Sequence, residues 1–256
     1  MRTLFVIVIV ASLIGLSFVS KNKVKEQKNK VKSITGSYAP VAVLELFTSE
    51  GCSSCPPADN LLPQLAKLDS NIIPLSFHVD YWNRLCWTDP FSSSDFSERQ
   101  RNYAKQFNLE SIYTPQLVVN GEYELVGSNR SEAESAIKKI LKEKSSVELT
   151  INNVNINKGN VDFTVFTQGD VKKTNLLVAL VQKKAVMKIN AGENNGATLS
   201  HINVVRFFTD QVADKRNEFE LPVPKNLTTG DWQLVVYTQR TNDLKITGAI
   251  MYHPNL

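Results

Sequence analysis

The chain predicts an α/β unit followed by an all-β antiparallel, sandwich-like unit, and three observations carry that division. Strand-like and helix-like apolar patterns alternate over residues 38–145, whereas only β-rich runs recur over 146–256. The change falls after Lys144, where helical spacing stops. With 256 residues and 42% hydrophobic content, the chain is long enough for two modest cores.

Two further segments precede these units. Arg2 leads an apolar run from Leu4 to Val19, interrupted by Ser12, Gly15 and Ser17. Its 16 residues are short for a spanning helix and suit the apolar core of a secretory signal, so residues 1–20 are expected to be a signal peptide. Gly15 and Ser17 fit a small-x-small cleavage site, but there is no Ala-x-Ala. A membrane tether through residues 4–19 therefore stands as the alternative. Both readings place the folded part outside the cytoplasm, periplasmic or extracellular, where disulfide chemistry is permitted. Residues 21–37 are Lys-rich and lack apolar period, as in a flexible linker. Seven basic residues against Glu26 lie within residues 1–37, so the net charge of +4 arises there and the remainder is net −2. No nucleic-acid surface is expected from that distribution.

In the first unit, Val41–Thr48 is a continuous β-rich run suited to a strand buried on both faces. From Ser54, Ala58, Leu61, Leu62, Leu65, Ala66 and Leu68 follow helical spacing, with Pro56 and Pro57 tolerable in a first turn and Pro63 expected to kink it. Ile72–Val79 reads as a second strand. Ser92–Asp95 supplies caps for a helix over 95–107. Asn120-Gly121 joins two short strands, Gln116–Val119 and Tyr123–Val126, as a hairpin turn. Ser131 with Glu134 reads as a capping box opening a helix from Ala133 to about Lys144. Beyond it, six to eight β-rich runs are separated by Asn, Gly, Asp and Pro clusters.

The chemistry concentrates at Cys52-Ser53-Ser54-Cys55, between a buried strand and a helix. A helix N-terminus offers free N–H groups and the positive end of its dipole, both of which stabilise a thiolate. Cys52 is therefore expected to be accessible and nucleophilic, with Cys55 one turn inside as the resolving thiol. An inert, permanently closed disulfide is the plainer reading. Thr114-Pro115, just before the hairpin, stands where a thioredoxin-like unit places a cis-proline facing its cysteines. A cis bond there offers backbone to an extended substrate.

Strand alternation puts His78 and Asp80 on one side, at the edge where the first strand also exits, with Trp82 close behind. His78 then either shuttles protons or forms a structural pair with Asp80. Cys86 is an odd thiol. A metal site from Cys52, Cys55, Cys86 and His78 is the weaker alternative, since their spacing matches no metal signature. Finally, Gly192 and Gly196 flank a polar tip, Glu193-Asn194-Asn195, followed by His201 and Arg206. This segment is either a plain hairpin loop or a piece that reaches back across the interface to shape the thiol site.

Taken together, GCSSCPPAD, FHVDYW with LCWTDPF, YTPQLVVNG and GENNGATLSHINVVR resemble the secreted, thioredoxin-like bacterial family catalogued as domain-of-unknown-function 1223. The resemblance spans about residues 38–256 and implies a thioredoxin-like domain followed by a β-sandwich-like region. It aligns Cys52 and Cys55 with the paired cysteines and Pro115 with the cis-proline. Where the pattern leads one to expect a glycine before Trp87, this chain has Cys86. The resulting expectation is an exported thiol–disulfide oxidoreductase acting on protein thiols and disulfides, with no cofactor beyond the Cys52–Cys55 pair. A thiol-based copper or zinc carrier and a non-enzymatic interaction module are the alternatives.

Overall fold

The computed structural model describes residues 38–157 and 159–254. The proposed signal or tether and the linker lie outside the described residues. Among the described residues, no helix is long and apolar enough to cross a membrane.

The first seven elements follow the predicted order: β1 (Ala42–Thr48), α1 (Pro56–Leu65), β2 (Ile72–His78), α2 (Ser94–Phe107), β3 (Gln116–Val119), β4 (Tyr123–Val126) and α3 (Arg130–Ile140). Every residue of β1 is buried because both faces are covered. Ala42, Leu44 and Leu46 face α1 and α3, meeting Leu61, Leu62, Leu65, Ala133 and Ile137. Val43 and Phe47 face the other way, toward Phe96 and Tyr103 of α2. Parallel β1–β2 and antiparallel β1–β3 pairing sets the exits of β1 and β2 at one edge, in register Thr48 with His78. Pro63 lies inside α1, which ends at Leu65. The α3 cap differs from expectation: Asn129, not Ser131, takes the cap position and accepts from the Glu132 N–H, so the helix starts at Arg130 and stops at Ile140. Asn serves this role as well as Ser does, and the earlier one wins because its extended backbone already turns into the helix.

Seven strands follow: β5 (Val147–Asn157), β6 (Asn160–Gly169), β7 (Thr174–Lys188), β8 (Thr198–Val212), β9 (Arg216–Pro222), β10 (Trp232–Arg240) and β11 (Ile246–Tyr252). They do not form a separate sandwich. β8 lies parallel to β2, pairing Val204 with Ser76, so one sheet runs β11-β10-β7-β8-β2-β1-β3-β4 through both halves. The chain is thus mostly β around one large mixed sheet. Sequence pattern identified the strands, but it carries no information on which open edge a strand joins. Side chains reinforce the joint, where Pro74 of β2 has no N–H to give. The Asn203 amide donates to the Pro74 carbonyl at 2.9 Å, and the Ser76 hydroxyl donates to the Ile202 carbonyl at 2.8 Å.

Strand alternation then divides the core. On β7, Leu177, Ala179 and Val181 share the α2 side with β1 and β2. Leu176, Val178 and Leu180 face the opposite way onto a smaller sheet, β5-β6-β9, where Leu149, Ile151, Phe163 and Phe219 await them. Two layers of strands do stack there, which is the sandwich-like part of the expectation. Arg99 of α2 ties the halves together: its guanidinium reaches Glu45 of β1 at 2.7 Å and Gln239 of β10 at 3.2 Å, while the Tyr237 hydroxyl donates to Glu45 at 2.6 Å.

Candidate functional site

At the exit of β1 the chain turns through Ser49–Ser54 into α1, with Cys55 as N-cap and Pro56 and Pro57 opening the helix. The Cys52 N–H bonds the Ser49 carbonyl at 3.2 Å, the Cys55 N–H bonds the Cys52 carbonyl at 3.2 Å, and the Asp59 N–H bonds the Cys55 carbonyl at 3.1 Å. These tight turns bring the two cysteines into a disulfide with Cα atoms 5.4 Å apart. Neither cysteine has any exposed surface. That corrects the expectation of an accessible Cys52, and the cause is the cover supplied by other parts of the chain.

Part of that cover is the Thr114–Pro115 loop. The bond is cis, as expected from its place before β3. The Thr114 hydroxyl lies 3.2 Å from Cys52 Sγ and receives the Trp82 indole N–H at 2.8 Å. The exposed Ser54 hydroxyl contacts Cys52 Sγ at 3.4 Å and the Thr114 carbonyl at 3.4 Å. Thr114, Pro115 and Trp82 are therefore brought to the pair.

The β7–β8 hairpin tip also reaches back to the cysteine turn. The Asn194 amide donates to the carbonyls of Glu50 (2.8 Å) and Cys52 (2.9 Å), and the Glu193 carboxylate accepts from the Ser53 N–H at 3.3 Å. Gly192, at φ +72°, lets the loop approach the Leu85 carbonyl so closely that a Cβ would lie 2.9 Å from it. Arg206 stays apart from the cysteines, stacked over Phe91 with its guanidinium 5.1 Å from the ring centre.

Beneath the turn lies a buried polar cluster. His78 pairs with Asp89, not with Asp80: Nδ1 and Oδ2 are 2.7 Å apart and both side chains are fully buried. β2 ends at His78, which breaks the alternation assumed for Asp80. Asp80 instead accepts from the Ser97 hydroxyl at 2.5 Å. Burial disfavours the Asp89 carboxylate, but the charge and hydrogen bond of His78, with N–H donors from Glu50 and Phe91, hold its pKa below the usual range. His201 of β8 lies between Glu50 and Asp59, 3.5 Å from each, its ring centre 4.7 Å from that of His78. Burial opposes its charge, but Asp59 and Glu50 outweigh that penalty and raise its pKa to about 9. Glu50 also accepts from the Trp87 indole at 2.9 Å.

Cys86 is free and exposed, at φ +65°. The Cys52, Cys55, Cys86 and His78 metal set is thereby corrected. Two of its sulfurs are spent in the disulfide, and no group of three or more His, Cys, Asp or Glu among the described residues is arranged to hold a metal ion. Sequence reasoning missed Glu50, Asp59, Asp89 and Trp87. Asp59 alone left a signal, standing four residues after Cys55 on the same helix face.

Over residues 43–239 the chain matches the family described as "Protein of unknown function (DUF1223)". It belongs to that family. Among solved structures, this DUF1223 chain is similar to a structural-genomics protein from Agrobacterium tumefaciens, with 25% identity and a TM-score of 0.67, covering 86% of this chain and 97% of that one. A domain of the outer membrane lipoprotein Omp28 from Porphyromonas gingivalis is a much weaker likeness, at 10% identity and a TM-score of 0.29, covering 43% of this chain and 89% of that one. No curated protein matches the DUF1223 chain.

Proposed function

We propose that this protein is an exported thiol–disulfide oxidoreductase of thioredoxin type, acting on protein thiols and disulfides through Cys52 and Cys55. One observation carries the reading: the disulfide sits at a strand-to-helix turn with the Thr114 hydroxyl 3.2 Å from Cys52 Sγ, between that loop and a helix N-terminus. Export rests on the apolar run Leu4–Val19. In the oxidising direction, a substrate thiolate attacks Cys52 Sγ and the electron pair of the broken S–S bond leaves on Cys55. The second substrate thiol then displaces Cys52, so two electrons and two protons pass to the pair and a substrate disulfide forms. The reducing direction is the reverse. Because neither cysteine is exposed, part of its cover must move aside for a partner to reach Cys52.

The absence of exposed sulfur favours a second reading, a fold that keeps its disulfide closed and serves as an interaction module. A trapping experiment separates the two. Cys55→Ser leaves any mixed disulfide on Cys52 unresolved, so defined protein adducts that disappear with Cys52→Ser are expected. Failure to capture any adduct, together with unchanged turnover of a model disulfide by Cys52→Ser, would leave only the closed-disulfide reading.

A further inference from the structure

Five titratable side chains are shut beneath the cysteine turn, and the reaction just described uses none of them: Glu50, Asp59, His78, Asp89 and His201, none more than 5% exposed. His78 pairs with Asp89 through Nδ1, while its Nε2 has no hydrogen-bond partner. The other three meet only loosely. Glu50 Oε1, Asp59 Oδ1 and both ring nitrogens of His201 lack a well-aligned hydrogen-bond partner, yet they face one another at 3.5 Å. Two buried carboxylates close together are costly unless a cation stands between them. His201 occupies that place.

The two carboxylates flank the cysteine pair, Glu50 in the turn and Asp59 in α1. Glu50 precedes Cys52 by two residues. Asp59 follows Cys55 by four, and residues so spaced on a helix share a face with Cβ atoms about 5–6 Å apart. The link is direct in the backbone, where the Asp59 N–H donates to the Cys55 carbonyl at 3.1 Å. Asp59 therefore lies one helical turn from Cys55 and faces His201 through Oδ1 at 3.5 Å.

We propose that His201 is a positioning residue of the cysteine site: its positive charge, held between Glu50 and Asp59, offsets the negative charge beneath the pair and so sets how readily the Cys52–Cys55 bond opens. The proposal rests on the thiol–disulfide reading for its biological use. When a nucleophile takes one sulfur, the other leaves as thiolate, and a lower-pKa thiol leaves faster. A departing thiolate above two uncompensated carboxylates is disfavoured, whereas an imidazolium between them relieves that repulsion. Groups from every neighbouring element bear on the ring. Glu50 comes from the β1–α1 turn and Asp59 from α1, its second oxygen accepting from Thr48 of β1 at 3.1 Å. His78 comes from β2, already paired with Asp89 of the following loop, and Phe91 of that loop carries Arg206 on its face. The pKa of about 9 keeps the ring charged through neutral pH.

The oxidised full chain is reduced with a water-soluble phosphine between about pH 6 and 10, and the thiols formed are counted by alkylation. The phosphine supplies two electrons and leaves as its oxide with the oxygen of water, while Cys52 and Cys55 become two thiols. Rates are taken relative to a linear disulfide peptide, which removes the phosphine's own titration. The relative rate of the wild type is expected to fall several-fold as pH rises through about 9. His201→Gln is expected to be about three- to tenfold slower at pH 7 and to lack that fall. Glu50→Gln added to His201→Gln should recover the rate by removing one negative charge, a rescue that a packing role does not provide. A flat wild-type profile, an unchanged His201→Gln rate, or no rescue would overturn the proposal. The wild-type profile decides the matter alone if the variants fail to fold. A phosphine opens a disulfide, once its cover moves aside, whether that disulfide is catalytic or structural, so this result and the trapping result fail independently.

Discussion

Cys86 occupies a left-handed backbone position, φ +65°, beside the point where Gly192 packs against Leu85 and Trp87. A side chain there costs about 1–2 kcal/mol, part of which a glycine forfeits through its freer unfolded chain. Cys86→Gly is therefore expected to stabilise the protein by about 0.5–1 kcal/mol, read as a rise in denaturant midpoint at constant slope. A lower midpoint would show that the thiol makes a contact worth more than the strain. The glycine expected before Trp87 was legible from the family pattern, and the backbone supplies its physical reason. The partner of His78 was not legible. Asp80 was the nearer acid, but β2 stops at His78 and the following turn aims Asp80 at Ser97, leaving Asp89 to arrive from eleven residues downstream.

The β7–β8 hairpin is the element that changes the reading of the site. Its strands were plain from their β-rich composition, and its tip was plain as a loop. That the tip lies on the cysteine turn was only one of two alternatives, because a loop's docking depends on the register of a pairing that residue patterns leave open. Asn194 holds the tip by two bonds to the carbonyls of Glu50 and Cys52. Asn194→Ala is expected to speed opening of the disulfide by a bulky thiol reductant several-fold, by loosening the cover. If the rate is unchanged, access to Cys52 is controlled elsewhere. The same pattern reading located α2 and the β3–β4 hairpin to within a residue, since caps and an Asn-Gly turn are local signals.

Across the whole molecule, one mixed sheet is shared by both halves of the chain. Arg99 shows how firmly they are joined. Its side chain, 12% exposed, spans from Glu45 to Gln239 and lies over the rings of Phe77, Tyr103, Phe208 and Tyr237 at 5.0–5.8 Å. Removing it strands the buried Glu45 carboxylate, so Arg99→Met is expected to cost about 3–5 kcal/mol in equilibrium unfolding, with both halves melting in one transition. A loss below about 1 kcal/mol, or two separate transitions, would mean that the halves fold independently. The charge pattern offered no hint of this contact, because Arg99 reads as one polar residue on an amphipathic helix.

The union of β2 with β8 also orders events in time. Asn194 meets the cysteine turn across 142 and 144 positions of chain. A ribosome adding about 5–20 residues per second needs roughly seven to thirty seconds to cover that distance. Throughout that interval the turn has neither its roof nor its buried histidine, and β2 presents a bare edge to whatever strand comes by. A newborn chain is thus most open to mispairing, and to outside helpers, at the place its finished form guards most closely.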